Sequence, residues 1–453
     1  MNRLPARSPA SRARPRHPAF RIAGWLAAAA LVLAAAGCAQ RDDRVEVRFS
    51  FWGAKDDVAI WRELAREFEV QHPGVRIKLE HIAGMTYQHK IMAMLVGHVA
   101  ADIILFDDEP FPQFAQYDVF EDLGPYLARD PELKESDFWP LFLKSFQYQG
   151  RQLCLPWDGN TFLIYYNRDL FKAAGLREPW LGWTWDDFLR TARKLTKDRD
   201  GDGHLDQFGC TYLGWMNGMI FVWEAGGRLY NEDMTRCVVD SPQAIEGIRF
   251  NQDLLFKYRV APKSTDLPGM AADNMFFNGH VAMLISGSYS KPWMRTLKGI
   301  NWEIGHMPAG PAGPATRLTC DGIALWKESK HKQEGWQFIR FLLSDYGQRR
   351  IASLDRGIPA IRRIASEPEF VRPDTPQTEE RFLESMEYAH LQPINEYWGE
   401  AKVVWDREWD LLVLQGKPAD EVARDVAREI NAILAQPLAQ ADAAEVRLAS
   451  PGS

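Results

Sequence analysis

Residues 45–51 read VEVRFSF and residues 102–106 read DIILF. Apolar and polar residues alternate in the first stretch, which predicts a half-buried β-strand, whereas the second is a short continuous apolar run, typical of a central parallel strand. Between them lie a helical pattern that begins at Asp57, a second alternating stretch at 75–79, and another helical pattern that begins at Tyr87. Strand, helix, strand, helix, strand is the order that begins a doubly wound α/β sheet.

Aromatic and acidic residues follow two of these predicted strands directly. Trp52 follows the first strand, and the acidic turn Asp107-Asp108-Glu109 follows the third. In open α/β sheets, ligands bind beyond the carboxyl ends of the strands. The sequence therefore predicts a binding site that includes Trp52 and the acidic turn.

The rest of the chain continues the alternation of strands and helices. Strands are predicted at 153–157, 161–166 and 322–326, and helices at 185–195 behind a Thr184 cap, 242–258 behind Ser241, 334–343 and 419–434. Residues 307–314 read MPAGPAGP, and a segment so rich in Pro and Gly cannot continue a helix or a central strand. We interpret this segment as a linker or a chain crossing between two lobes.

Composition limits the classes of function. The 453 residues are 46% hydrophobic and 25% charged, which is enough apolar material for two or three ordinary domains. The formal net charge is −7, and because residues 1–38 contain six Arg and no acidic residue, the remainder carries −13. Nucleic-acid binding relies on Lys and Arg that neutralise phosphates, so this acidic remainder argues against a nucleic-acid partner.

The amino-terminal segment has the pattern of a secretory signal. A cationic stretch precedes the apolar run at 25–36, which is too short to span a bilayer as a helix. The run ends at Gly37-Cys38 and resembles a bacterial lipobox, in which the cysteine receives a lipid. We therefore predict a signal peptide at 1–37 and a lipidated tether at 38–44 anchored through Cys38, with simple cleavage as the alternative.

Export would bring the other cysteines into an oxidising compartment. Up to two disulfides are possible there, and the spacing selects none of the three pairings. Four buried free thiols are the alternative. The residues concerned are Cys154, Cys210, Cys237 and Cys320.

An ordered series of short motifs runs through the chain. The motifs are FWG at 51–53, DIILF at 102–106, LPWDGN at 155–160, YYNRDLF at 165–171, WTWDDF at 183–188, AGG at 225–227, FNGHVAM at 277–283 and GIAL at 322–325. From Val45 to Leu434, this series resembles the extracellular solute-binding proteins of carbohydrate ABC importers, the group that includes the maltodextrin-binding proteins.

The resemblance implies an α/β fold of two lobes that close on a ligand like a clamp, each lobe a doubly wound, mainly parallel sheet flanked by helices. It places the chain crossings near 151–155, 315–318 and 365–367. One lobe would then comprise 45–152 with 318–365, and the other 153–317 with 366–453. It also implies a periplasmic or otherwise extracytoplasmic monomer that passes a sugar to the membrane subunits of an ABC permease and requires no cofactor.

Physical chemistry supports a sugar ligand independently. A sugar ring has an apolar face, which aromatic side chains can cover, and hydroxyl groups, which carboxylates and amides can bind. Sixteen of the seventeen Trp lie outside the amino-terminal segment. From strand ends, loops and the resemblance we predict these ligand-binding residues: Trp52, Asp107, Glu109, Trp157, Asp158, Asn160, Trp215, Asn217, Trp223, Tyr289, Asp321, Gly322, Tyr397 and Trp398.

Other Trp residues lie at helical or strand-interior spacing and are predicted to pack in the core. These are Trp61, Trp185, Trp326, Trp336, Trp405 and Trp409.

A separate acidic segment resembles a calcium-binding loop. Oxygen-bearing or polar side chains recur at alternate positions around a Gly-rich turn. The twelfth position of the loop is Gly209 instead of the usual glutamate, so an Asp/Gly turn without metal is the alternative. The candidate calcium ligands are Asp198, Asp200, Asp202, His204 and Asp206.

The same residue types also fit two other functions. Asp107 and Glu109 could serve as acid and base of a secreted carbohydrate-active enzyme. Carboxylates and Trp faces also hold ammonium groups, so the ligand could be a polyamine or another small solute. A glycerol-phosphate ligand fits less well, because the predicted site has little positive charge.

Overall fold

The computed structural model describes residues 42–84, 86–372 and 378–436. The predicted signal peptide, the lipid site at Cys38 and most of the predicted tether lie outside the described residues. Among the helices of the described part, none has both the length and the apolar character needed to cross a membrane.

The strands group around two long central members. They are β1 (Val45–Phe51), β2 (Val75–His81), β3 (Ile103–Asp107), β4 (Gln147–Tyr148), β5 (Arg151–Gln152), β6 (Cys154–Asn167), β7 (Met283–Gly287), β8 (Trp302–Gly305), β9 (Ala309–Gly310), β10 (Gly313–Pro314), β11 (Thr316–Leu325), β12 (Ile358–Pro359) and β13 (Ala389–Leu391).

The main sheet has the order β12-β6-β11-β3-β1-β2. β1 pairs in parallel with both β2 and β3, as the order of elements predicts. β11, however, pairs antiparallel with β3 and β6, and β6 pairs antiparallel with β7, β8 and β12. The α/β class is confirmed, and the sheet is mixed, because β6 and β11 run opposite to each other through its centre.

β6 joins two groups of strands. Its first half, through Thr161, pairs with β11, and its second half, Phe162–Asn167, pairs with β7 and β8. Every residue of β6 except Asn167 is buried. A strand buried on both faces shows no alternation of apolar and polar residues, which is why the sequence pattern alone does not orient its side chains.

Helices cover the sheet. They are α1 (Lys55–Gln71), α2 (Tyr87–Val96), α3 (Phe111–Ala115), α4 (Gly124–Arg129), α5 (Pro140–Ser145), α6 (Arg168–Ala173), α7 (Trp185–Leu195), α8 (Trp215–Glu224), α9 (Pro242–Phe256), α10 (Ala272–Phe277), α11 (Lys291–Met294), α12 (Lys332–Leu342), α13 (Asp345–Ala352), α14 (Arg362–Ala365), α15 (Pro368–Val371), α16 (Glu380–Glu384), α17 (Trp398–Asp410) and α18 (Ala419–Leu434).

The predicted caps of two helices are confirmed, whereas the helix predicted to begin at Asp57 begins at Lys55, with Ala54 as its cap and Asp57 in its first turn. Thr184 caps α7 through a reciprocal pair of hydrogen bonds with Asp187, and the Ser241 hydroxyl accepts a hydrogen bond from the Ala244 amide at the start of α9. The Pro/Gly-rich segment forms the short hairpin of β9 and β10. Capping side chains act within one turn of the chain, so local sequence is sufficient to predict them.

The cysteines of the described residues are free and buried, namely Cys154, Cys210, Cys237 and Cys320. The alternative of buried thiols, left open by the sequence, is therefore the one that the structure shows.

A buried cluster of charges connects α11 with two later segments of the chain. The Lys291 ammonium is fully buried and lies 2.8 Å from the Asp355 carboxylate and 3.0 Å from the Glu379 carboxylate. Arg295 pairs with both of the same carboxylates. Removal of one charge from such a cluster leaves its partners buried and uncompensated, which costs much more than the loss of an exposed ion pair.

We expect Lys291→Met to lower the free energy of unfolding by about 3–5 kcal/mol. Lys257→Met is the matched control, because Lys257 pairs with Asp253 at an exposed position, and its loss should cost far less, since solvent screens exposed ion pairs. Denaturant unfolding followed by circular dichroism measures both values. Equal effects of the two substitutions would show that the Lys291 cluster contributes no more than a surface pair.

Candidate functional site

The first part of the candidate site lies at the carboxyl ends of β1 and β3. The half-buried indole of Trp52 meets the ring of Tyr87 edge-on, with 4.9 Å between the ring centroids. Both rings and Asp107 line a cavity of about 240 Å³. The Tyr87 hydroxyl donates a hydrogen bond of 2.9 Å to the Leu105 carbonyl, which holds the ring against β3.

The turn after Trp52 requires glycine. Gly53 has a φ of 146°, and a Cβ atom there would lie 2.6 Å from the Cβ of Asp57. The Asp57 carboxylate accepts a hydrogen bond of 2.6 Å from the Ala54 amide. This turn keeps the first residues of α1, and with them Asp57, next to the end of β1.

Three aspartates lie side by side across the sheet. Asp321 on β11 is in register with Asp107 on β3 and with Asp158 on β6. Residues directly opposite one another on neighbouring strands project from the same face of a sheet. Asp107 and Asp321 are half-buried, whereas Asp158 is buried. We call these three residues the aspartate row.

The row is electrostatically strained. Burial raises the pKa of all three carboxyl groups, that of Asp158 to about 7 against the opposing effect of Arg356. Asp158 and Asp107 also raise the pKa of Asp321 by repulsion. Part of the row is therefore protonated near neutral pH, and the row can both donate and accept hydrogen bonds.

Two arginines lie near the row. A nitrogen of Arg356 is 2.7 Å from the Asp57 carboxylate, and its charge also acts on Asp158 and Asp321. Arg317 is buried, donates a hydrogen bond of 3.1 Å to Asn217, and lies over the ring of Phe162. Arg317 thereby links the predicted ligand residue Asn217 of α8 to the acidic turn after β3. Its positive charge opposes the rise in the pKa of carboxyl groups in that turn.

Glu109 is the last residue of the acidic turn and lies near α17. It is half-buried, and burial raises the pKa of its carboxyl group, while Lys402 and a hydrogen bond from Trp398 oppose the rise. Trp398 is itself buried, so it offers Glu109 a hydrogen bond and leaves no open face for a ligand. Its predicted role as an aromatic contact for the ligand stays a prediction.

Tyr289 supplies an open aromatic ring. It is 44% exposed, and its edge-on neighbour is Phe162, at 5.9 Å between centroids. Because Arg317 lies over the same Phe162 ring, Tyr289 is close to the Arg317 end of the site. The structure thus brings Tyr289, Asn217, Glu109 and Asp107 into one neighbourhood around Arg317.

Other predicted ligand residues are packed against the protein itself. Trp157 is buried and stacks on Trp61, with 4.2 Å between ring centroids. Trp215 is buried and stacks in parallel on Trp405 at 5.6 Å. Neither indole presents a free face in this arrangement. Ligand contact by Trp157 and Trp215 stays a prediction, whereas Trp61 and Trp405 lie in the core, as predicted.

The remaining predicted residues have varied surroundings. The ring of Trp223 stacks on His390 at 4.9 Å. Asn160 is buried and accepts a hydrogen bond of 2.7 Å from the Ser288 hydroxyl. The Tyr397 hydroxyl donates to the carbonyl of Gln436. At Gly322, a Cβ would lie 2.6 Å from the Cys154 sulfur, so this glycine is a packing residue.

Sequence reasoning missed four residues of this site. Asp57 and Tyr87 were interpreted only as the starts of helices, while Arg317 and Arg356 were not considered. The one available signal was the position of Arg317 in the predicted crossing at 315–318, four residues before Asp321. Contacts of the others depend on how distant segments pair, which spacing does not reveal.

The predicted calcium loop is partly assembled. Carboxylate oxygens of Asp198, Asp200 and Asp206 lie within 4.8 Å of one another, and Asp202 and His204 are not part of that group. The Asp198 carboxylate accepts hydrogen bonds from the amides of Gly201 and Gly203, as in an ordinary Asp/Gly turn. Calcium binding at this loop stays a prediction.

Comparison with known proteins identifies the family. Residues 53–349 match the bacterial extracellular solute-binding protein family. The chain belongs to this family. Its members are binding proteins, in agreement with the resemblance found in the motif series.

Individual relatives of this solute-binding protein agree with that assignment. A binding protein of Brucella abortus is 23% identical over 91% of this chain and 99% of its own length. The maltotriose-binding protein of Pyrococcus abyssi is 21% identical over 84% of this chain and 78% of its own. An ABC substrate-binding protein of Listeria monocytogenes, solved in complex with cycloalternan, has a TM-score of 0.78 at 24% identity, over 86% of this chain and 99% of that one. The last similarity shows that the fold is shared.

The raised pKa of Asp158 makes the stability of this solute-binding protein depend on pH. An aspartate in the unfolded chain has a pKa near 4, so between about pH 4 and pH 7 the folded state holds a proton that the unfolded state has lost. This contribution to stability is present at low pH and is lost as the pH rises through that window.

We expect Asp158→Asn to become progressively more stable relative to the wild type as the pH rises from 5 to 8. Denaturant unfolding at several pH values measures the difference, and Asp186→Asn, on the exposed side of α7, is the control. A difference that stays constant or shrinks with rising pH would contradict the assignment.

Proposed function

We propose that this solute-binding protein binds a sugar or oligosaccharide outside the cytoplasmic membrane and delivers it to an ABC importer. The observation that carries the proposal is the cavity lined by Trp52, Tyr87 and Asp107 beside the aspartate row. The half-buried Trp52 ring can cover the apolar face of a sugar, and half-buried carboxyl groups can bind its hydroxyls. Maltotriose and cycloalternan, the ligands named for two relatives, are oligosaccharides.

We also propose the domain division implied by the resemblance, with one lobe at 45–152 and 318–365 and the other at 153–317 and 366–453. β6 changes its pairing partners after Thr161, which supports a crossing along this strand, nine residues after the proposed boundary at 152. β11 would provide the second crossing, and the segment between α14 and α15 the third. Trp52 and the acidic turn would then belong to one lobe, and Tyr289 and Asn217 to the other.

Contacts from both lobes explain how a ligand would close the protein. Only a ligand that binds the closed arrangement more tightly than the open one can shift the equilibrium towards closure. A sugar held by Trp52 on one side and Tyr289 on the other meets this condition. No covalent chemistry is required, and the ligand leaves unchanged.

Lipidation at Cys38 would keep the protein at the membrane, close to its permease. The support for this anchor is the run of small residues before Cys38, a segment outside the described residues.

We expect isothermal titration calorimetry with a panel of neutral mono- and oligosaccharides to find at least one that binds, and product analysis to recover it intact. For that sugar, Tyr289→Ala should raise the Kd by about 10- to 100-fold, because the variant loses the ring that covers the sugar face. Tyr289→Phe should change the Kd much less.

Tyr346→Ala is the matched control, since Tyr346 is similarly exposed but lies on α13 against Phe341. Cleavage of the sugar would replace the binding function with an enzymatic one. Binding of spermidine but of no sugar would favour the polyamine alternative. Equal effects of the Tyr289 and Tyr346 substitutions would remove Tyr289 from the site.

A further inference from the structure

The aspartate row is an unusual arrangement in a folded protein. Asp107, Asp321 and Asp158 occupy directly opposed positions on three adjacent strands. The Cβ atoms of directly opposed residues on neighbouring strands are only about 5 Å apart, and like charges in such positions destabilise a sheet. Three acidic residues in positions that lower stability indicate that their proximity serves a function.

The surrounding residues compensate only part of the charge of the row. Asp57 and Asp108 are buried beside the row and bring the number of clustered carboxyl groups to five. The positive groups facing them are Arg356, which forms an ion pair with Asp57, and Arg317, which donates a hydrogen bond to Asn217. The site therefore has more acidic groups than guanidinium groups.

One atom of the row has no partner. Oδ1 of Asp158 accepts no hydrogen bond from any described residue, although Asp158 is only 4% exposed. A buried acceptor without a donor costs free energy in the folded protein. Its neighbours Asp107 and Asp321 are half-buried, so the row opens towards solvent on the side of Asp107, which also lines the cavity of Trp52 and Tyr87.

A metal ion does not fit this arrangement well. Among the described residues, the group of carboxylates close enough to share one ion is that of Asp198, Asp200 and Asp206, and the row is not such a group. An ammonium group differs from a metal ion because two acceptors at hydrogen-bond distance are enough to hold it. It is also attracted to the face of an aromatic ring, which the half-buried Trp52 supplies here.

We propose that the sugar bound by this protein carries a protonated amino group, whose ammonium lies against Asp107 and Asp321 next to the rings of Trp52 and Tyr87. This inference rests on the proposed function and narrows its substrate class to amino sugars or oligosaccharides that contain one. The ammonium donates hydrogen bonds to the row. Its positive charge adds to those of Arg356 and Arg317, which are too few to balance the five carboxyl groups.

Calorimetry with matched pairs of sugars tests the inference. Each pair comprises an amino sugar and its neutral counterpart, namely glucosamine with glucose, galactosamine with galactose, and the corresponding β1,4- and α1,4-linked disaccharides. In the pair that binds, the amino sugar should bind about 10- to 100-fold more tightly at pH 7, the range expected for hydrogen bonds between charged groups. N-acetylation of the amino group should abolish this preference.

Asp321→Asn should reduce the preference for the amino sugar, which is the ratio of the Kd values of the neutral and the amino sugar, to less than about threefold, because the amide carries no charge. Circular dichroism shows separately that the variant is folded. Asp186→Asn removes the same charge from a distant exposed position and should leave the preference intact.

The outcomes separate the two proposals. Neutral sugars that bind as tightly as their amino counterparts would overturn the inference and leave the sugar-binding function in place. A preference that survives Asp321→Asn would also overturn it. If no sugar of either kind binds and spermidine does, the proposed function itself fails.

Discussion

The pairing of β6 with β11 is the interaction on which the rest of the structure depends. These two antiparallel strands run through the centre of the sheet, and the same few residues provide both core and site. On β6, Trp157 stacks on Trp61 of α1, and its neighbour Asp158 joins the aspartate row. On β11, Arg317 and Asp321 lie four residues apart at the two ends of the polar site. Any shift of register between the two strands would disrupt the core and the site together.

Much of the fold could be predicted from the sequence because the relevant signals are local. The alternation in β1 and β2, the apolar run of β3 and the Thr184 and Ser241 caps each depend on residues within a few positions, and the structure confirms them. The antiparallel pairing of β11 with β3 and β6 could not be predicted in this way. It joins segments more than 150 residues apart, and a strand buried on both faces carries no periodicity that orients it.

The same distinction applies to the candidate site. Trp52 and Asp107 follow strands whose ends must meet in a parallel sheet, so their proximity follows from the order of elements. Trp157 and Trp215 also lie next to polar residues in the sequence, yet each stacks on another indole. Whether an aromatic ring faces a ligand or the core depends on tertiary neighbours that are distant in sequence. The roles of Arg317 and Arg356 in the site could not be predicted for the same reason, since their partners Asn217 and Asp57 lie in other segments.

The central claim is that a sugar is held between the Trp52 and Asp107 side of the protein and the Tyr289 side, with the aspartate row beneath it. A crystal structure of the complex with the tightest-binding sugar tests this claim most directly. The account predicts density for the sugar in contact with Trp52, Asp107 and Tyr289 in the same molecule. Density for the sugar at another surface, or a gap closed by contact between these side chains themselves, would contradict it.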